Sequence, residues 1–194
     1  MNNAVRKQEL TESHLEIIYM QKNVSPTPLK QNTLQTIAET GLAVPTYRLD
    51  GKRPKTGIVH IGPGAFFRAH QAWFTHTAMQ QNGGDWGITC VSMRSSGVTD
   101  ALTPQHGLYC LAELDKTTKY EVMGAINEVL VAGKQYDEVI ARLMSVDTKI
   151  VTLTITEKGY CLNSQGKLDM DNSDVRSDIS KTRDHTTAIG LLAN

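Results

Sequence analysis

The sequence predicts an α/β fold, a mostly parallel sheet with a hairpin excursion, and three observations predict it. Ile58 to Ile61 is a short, largely β-branched run bounded by glycines, followed by a two-glycine turn at Gly62-Pro63-Gly64 and then by helical spacing of apolar residues. Trp86 to Met93 and Lys149 to Thr156 are further runs of strand length and β-branched character. Between them, Leu108 to Leu114 and Tyr120 to Ile126 flank the polar Asp115-Lys116-Thr117-Thr118-Lys119, the pattern of two strands joined by a turn. Strand, glycine turn and helix in succession form the opening unit of a Rossmann-type domain.

Before that unit, Met1 to Gln31 is polar and irregular, with an amphipathic patch at Leu15, Ile17, Ile18 and Met20 and a Ser-Pro-Thr-Pro break at 25 to 28. It reads as a loosely held leader, with a partner-binding helix as the alternative. Leu34, Ile37, Ala38 and Leu42 predict a short helix ending near Gly41, and Val44 to Lys55, with Pro45 and Pro54, an extended arm. The expected division is a polar, partly disordered leader over 1–43 and a dinucleotide-binding domain over 44–194.

At the junction of the first strand and helix, Gly62 and Gly64 lack Cβ atoms, so the chain can turn tightly and a pyrophosphate can approach the backbone. Free N–H groups and the dipole at the helix start favour its charge. The candidate cofactor segment is therefore Ile61, Gly62, Pro63, Gly64, Ala65, Phe66 and Phe67, with Phe66, Ala69, Ala72 and Trp73 expected on one helical face. The third fingerprint position is Phe67 instead of Gly or Ala, and an ordinary tight turn also uses glycine.

Gln81 to Asp85 is a loop leading into the second strand. In a dinucleotide fold an acid after this strand accepts hydrogen bonds from the ribose. Here Arg94-Ser95-Ser96 holds that place, and Asp85 precedes the strand, at the wrong end. Arg94 is suited to stack on adenine or to meet a 2′-phosphate, or is a solvated arginine at a strand end.

Tyr136, Val139, Ile140, Leu143 and Met144 form the clearest helical stripe and read as core packing. The run from Lys149 ends at Thr156, Glu157 and Lys158. Ligands gather beyond the carboxyl ends of strands, so these three residues should border the same crevice as Gly62. Glu157 and Lys158 are an acid/base pair in one reading, a structural ion pair or turn in the other. After Tyr160 the chain is polar through Asp178, and a helix is expected over Thr186 to Leu192.

Composition narrows the function classes. Twenty basic and twenty acidic residues leave the chain formally neutral, and no basic stripe with interleaved aromatics points to nucleic acid. No apolar run is long enough to cross a bilayer, and the first residues carry Glu9, Glu12 and Glu16 in place of an export core, which predicts a cytoplasmic protein. Cys90, Cys110 and Cys161 lie far apart and within or beside strand-like segments, so they read as small buried hydrophobes. His70 and His76 point in different directions on a helix, and no metal site is expected.

Several stretches carry a likeness that periodicity cannot supply. Ile58-Val-His-Ile-Gly-Pro-Gly-Ala-Phe-Phe-Arg-Ala-His-Gln-Ala72, Asp85-Trp-Gly-Ile88, Gly107-Leu-Tyr109 and above all Leu153-Thr-Ile-Thr-Glu-Lys-Gly-Tyr-Cys161 closely resemble the polyol-specific long-chain dehydrogenases, the family of mannitol 2-dehydrogenase and fructuronate reductase. The likeness runs from about Val44 to the end of the chain. It implies a Rossmann-type domain binding NAD, with NADP left open by Arg94 and Ser95, followed in the family by a helical domain that supplies catalytic lysine, asparagine and histidine. It implies hydride transfer between nicotinamide and a polyol or sugar acid, without a metal. The family usually has histidine where Phe67 stands. Its Ser-Cys-Asp-Asn and Val-Asp-Arg segments are not found in these 194 residues, so no residue here is expected to be catalytic, and a separately encoded catalytic domain is one possible partner.

Overall fold

The computed structural model describes residues 27–193. The amphipathic patch at Leu15 to Met20 lies outside the described residues. In chain order the elements are α1 (Leu34–Ala38), β1 (Thr56–Ile61), α2 (Ala65–Ala69), α3 (Gln71–Asn82), β2 (Gly87–Ser92), α4 (Gly97–Leu102), β3 (Tyr109–Glu113), β4 (Lys119–Met123), β5 (Ile126–Val131), α5 (Tyr136–Leu143), β6 (Ile150–Leu153), α6 (Ser173–Ile179) and α7 (Ala188–Ala193).

Four strands form a parallel sheet in the order β5-β2-β1-β6, and β3 and β4 pair separately as an antiparallel hairpin. Counted along the parallel strands alone this is 3-2-1-4, the order of a dinucleotide-binding sheet. β1 is flanked on both edges and both faces, which is why its sequence is apolar without alternation. Ile58 packs with Phe67, Ala72 and Met79 on one face, and Val59 and Ile61 with Tyr136, Val139 and Leu191 on the other.

β5 is a strand that periodicity did not predict. Asn127 and Glu128 interrupt its apolar run, yet each bonds to another element: Asn127 Nδ2 donates to Pro54 O at 2.7 Å, and Glu128 accepts from Thr89 Oγ1 at 2.8 Å and Arg142 Nε at 2.6 Å. α4 and α6 were likewise not expected. The arm from Val44 to Lys55 is not simply extended, because Thr46–Arg48 forms a 3-10 turn that buries Arg48 completely. Leu34 and Ile37 of α1 pack with Val44, Leu108 and Val122, which ties this helix to the hairpin.

Other expectations change for local reasons. The helix after Gly64 breaks at His70 (φ −121°, ψ −87°), where the imidazole Nδ1 takes Phe66 O at 2.8 Å and the backbone N–H moves to Phe67 O at 3.2 Å. The break rotates the apolar stripe: Phe66 is 66% exposed while Phe67 is fully buried, so the core face is Phe67, Ala72, His76 and Met79. Met144 falls just past α5 and is exposed. Of the cysteines only Cys90 is buried; Cys110 faces outward from the hairpin, and Cys161 follows a 3-10 turn at φ +52°.

Candidate functional site

The chain leaves β1 to form β2 on one side and later returns to place β6 on the other. The strand order reverses between β1 and β6, and open α/β sheets bind ligands outside the carboxyl ends at such a reversal. Gly62 follows β1, Arg94 follows β2, and Thr154 to Lys158 follow β6. These segments line one cleft of about 530 Å³. A neighbouring hollow of about 700 Å³ shares Met93, Arg94, Asp174 and Thr186 with it and reaches Gly133 and Lys134 beyond β5.

The two glycines of the turn have different reasons to be glycine. Gly62 has φ +94°, its N–H donates to Val91 O at 2.9 Å, and a Cβ on it would lie 2.5 Å from the carbonyl oxygen of Thr154. The fold itself demands glycine there. Gly64 has ordinary extended angles (φ −67°, ψ 178°), and a Cβ on it would meet nothing within 4 Å. Packing does not require glycine at 64. What its bareness leaves open is the space over the first turn of α2, where no side chain caps the N–H groups. Uncapped backbone donors beside an approach kept free of side chains fit a phosphate group. α2 is a single turn, so these donors carry the attraction and the macrodipole adds little.

Beneath the turn lies a buried polar network. The ring of His60 stacks on Phe67 with centroids 3.6 Å apart and planes 8° from parallel. Its Nδ1 meets Thr152 Oγ1 at 2.8 Å and its Nε2 meets Thr154 Oγ1 at 2.9 Å, while the Thr154 hydroxyl donates to Gly62 O at 2.7 Å. Because that hydroxyl gives its proton to Gly62, it accepts from His60 Nε2–H, which leaves Nδ1 to accept from Thr152. The imidazole is thus neutral, and burial pushes its pKa down to about 4. From outside, Arg68 Nη1 donates to Pro63 O at 2.6 Å, and Tyr109 Oη, on the hairpin, donates to Arg68 O at 2.6 Å. The hairpin excursion therefore braces the turn.

The structure brings Gly62, Arg94, Thr156 and Lys158 to the cleft. Gly64, Ala65 and Phe66 stand exposed at its β1 side, whereas Ile61, Pro63 and Phe67 are buried, so only their backbone is placed to face a ligand. Glu157 lies on the 3-10 turn Glu157–Tyr160 and is exposed; among the described residues it makes no salt bridge with Lys158, so of the two readings the structural one is a turn. Asp85 accepts from Lys55 N at 2.9 Å at the amino end of the sheet, away from the cleft. Arg94 Nη2 donates to Asp174 Oδ2 at 2.9 Å. Sequence reasoning missed Asp174, His60, Thr154 and Arg68. Only His60 carried a signal, as the one ionisable residue inside a buried apolar run. Among the described residues no three His, Cys, Asp or Glu side chains converge to hold a metal, and no helix is long and apolar enough to cross a membrane.

A family model described as the mannitol dehydrogenase Rossmann domain matches residues 56–193. The chain is 35% identical over 176 residues to a mannitol 2-dehydrogenase of Phaeosphaeria nodorum, covering 88% of this chain and 31% of that protein. It is 34% identical over 165 residues to the D-mannonate oxidoreductase of Escherichia coli K12, covering 82% and 34%. Its fold matches the solved structure of Pseudomonas fluorescens mannitol 2-dehydrogenase in ternary complex with NAD and D-mannitol, with a TM-score of 0.76 and 34% identity, covering 86% of this chain and 34% of that one. The chain spans about a third of the length of the curated relatives it matches.

Proposed function

This chain belongs to the mannitol dehydrogenase family, whose Rossmann domain it carries, and from that premise we propose that residues 44–194, behind a leader over 1–43, are the dinucleotide-binding part of an NAD-dependent oxidoreductase. The reaction interconverts a sugar alcohol and its ketose, as between mannitol and fructose, or a hexonate and its ketohexuronate, as between mannonate and fructuronate. Likeness to both a mannitol 2-dehydrogenase and a mannonate oxidoreductase supports this range.

One observation carries the reading: the strand order reverses at β1, and the turn that leaves β1 keeps a glycine, Gly64, that the fold does not need. Within the segment Gly62 to Phe67, the uncapped N–H groups of Ala65, Phe66 and Phe67 would hold the diphosphate, Arg94 would face the adenosine end, and Thr156 to Lys158 would border the far side of the cleft. The nicotinamide, when bound, supplies the hydride chemistry. The residues that hold the substrate and move its proton are assigned to a helical domain beyond this stretch, covalently joined or separately encoded, in a cytoplasmic enzyme.

The second reading is a chain that binds nucleotide without a reaction of its own, and the exposure of Ile150 (43%) and Val151 (39%) on the edge strand β6 is compatible with either. Titration with NADH followed by nicotinamide fluorescence tests the first part: saturable binding with a blue shift is expected, and its absence overturns the dinucleotide assignment. Assays with mannitol, fructose and fructuronate test the second. Negligible turnover by this chain is expected, and robust turnover would refute placing the catalytic residues elsewhere.

A further inference from the structure

Arg94 stands just after β2, where a dinucleotide fold reads the adenosine ribose: a carboxylate there suits a free 2′-hydroxyl, and an arginine accommodates a 2′-phosphate. On sequence alone this position favours phosphate. The tertiary structure changes its chemistry, because α6 brings Asp174 to the end of β2, 80 residues away along the chain, and its Oδ2 accepts from Arg94 Nη2 at 2.9 Å.

Both partners are held from behind. The Asn172 side chain accepts from the backbone N–H of Asp174 at 2.9 Å and of Val175 at 3.3 Å, which sets the first turn of α6. On the other side, Ser92 Oγ donates to Ser95 O at 2.6 Å and Ser95 Oγ accepts from Gly97 N at 3.2 Å, which sets the loop carrying Arg94. The pair is exposed and contributes little to stability. Its consequence is electrostatic. The hollow it borders is lined by four carboxylates, Asp137, Glu138, Asp174 and Asp184, against three cations, Arg94, Lys134 and Arg183. Arg183 is likewise paired, through Nη2, with Asp137 Oδ1 at 2.8 Å.

Building on the dinucleotide reading above, we propose that Asp174 is the residue that selects the coenzyme: it engages the guanidinium of Arg94, so that the hollow, with one carboxylate more than cations, offers a 2′-phosphate no free partner and the site takes a dinucleotide with a free 2′-hydroxyl over one with a 2′-phosphate. The acid missing from its usual place after β2 is supplied in space from α6. A free cation a few ångströms from a phosphate in a partly solvated cleft favours it by roughly tenfold, and the pairing with Asp174 removes that gain.

The test titrates the full chain and its Asp174→Asn variant with NADH and with NADPH at equal, low ionic strength, with thermal melts confirming that each variant is folded. The parent is expected to bind NADH at least about tenfold more tightly than NADPH. Asp174→Asn should raise the affinity for NADPH by about tenfold and shift the ratio of NADPH to NADH affinity by at least that much, and adding Arg94→Ala should remove the NADPH gain. The gain should shrink as salt is raised. NADPH affinity unmoved by Asp174→Asn while NADH still binds, or a parent that prefers NADPH, overturns the proposal and leaves the dinucleotide reading standing. Failure of NADH to bind either protein overturns that reading and this inference with it.

Discussion

Gly62 and Thr154 lock the two strand ends at the switch point together: the Thr154 carbonyl oxygen lies where a Cβ on Gly62 would be only 2.5 Å away, and the Thr154 hydroxyl donates to Gly62 O at 2.7 Å. β1 and β6 therefore meet beyond their ladder through a contact that no larger residue permits. The second glycine of the turn, Gly64, has no such neighbour. The turn thus divides into a half fixed by packing and a half that packing leaves free.

That division predicts opposite outcomes for two alanine substitutions. Gly62→Ala meets both a positive φ and the Thr154 backbone, so it should cost about 2–4 kcal/mol and lower the melting temperature by roughly 5–15 °C. Gly64→Ala should cost less than about 1 kcal/mol, since its angles suit alanine, yet weaken NADH at least about tenfold by filling the approach to the backbone donors. Thermal melts and NADH titrations on both variants check this. A Gly64→Ala protein that binds NADH as tightly as the parent would place the diphosphate elsewhere.

Acid should destabilise the protein in two stages. His60 and His76 are fully buried, and burial lowers the pKa of both, His60 to about 4; for His76 the neighbouring Glu121 only partly offsets burial. In the unfolded chain they take protons near pH 6.5, so between about pH 6.5 and 4 the unfolded state binds more protons and stability falls as pH falls. Asp178 follows at lower pH. Burial alone would raise its pKa, but hydrogen bonds from the N–H and hydroxyl groups of Thr186 and Thr187 hold it below the usual carboxylate value, so its contribution is lost on further acidification. Urea midpoints should be flat from about pH 8 to 7 and then decline. His60→Gln should remove on the order of 3 kcal/mol from the first stage, and a slope unchanged by that substitution would show that His60 is not held neutral.

Arg48 predicts a loss of stability without a loss of binding. Its guanidinium is buried, with burial lowering its pKa to about 10, and donates to the carbonyls of Gly124 (3.1 Å), Ile126 (3.4 Å) and His106 (3.0 Å) and to Gln31 Oε1 (2.7 Å), near the amino end of β5. Arg48→Met strands those carbonyls and should cost about 2–4 kcal/mol. Because the carboxyl ends of the strands form the cleft, NADH affinity of the folded variant should stay within about threefold. A matching collapse in affinity would link this network to the site.

Much of the sheet was legible in the sequence because β1, β2 and β6 put contiguous β-branched residues where local patterns register them. β5 was not, since Asn127 and Glu128 break the pattern and find side-chain partners in Pro54, Thr89 and Arg142 from other elements. The helical face failed at one residue: His70 interrupts the helix and exchanges the places of Phe66 and Phe67. Cys110 and Cys161 lie beside apolar residues in sequence, but one faces out from a two-stranded hairpin and the other sits on a turn.

By itself the sequence determined the strand, glycine turn and helix unit, the family motifs and the position of Arg94 after β2, all of which reside in residues that are neighbours along the chain. Only the tertiary structure decided that Gly62 answers to Thr154 while Gly64 answers to no neighbour, that His60 is neutral beneath the turn, and that Arg94 faces Asp174. The physical reason is that a side chain's free space, protonation and net charge depend on atoms within a few ångströms, and here those atoms come from residues 80 to 94 positions away.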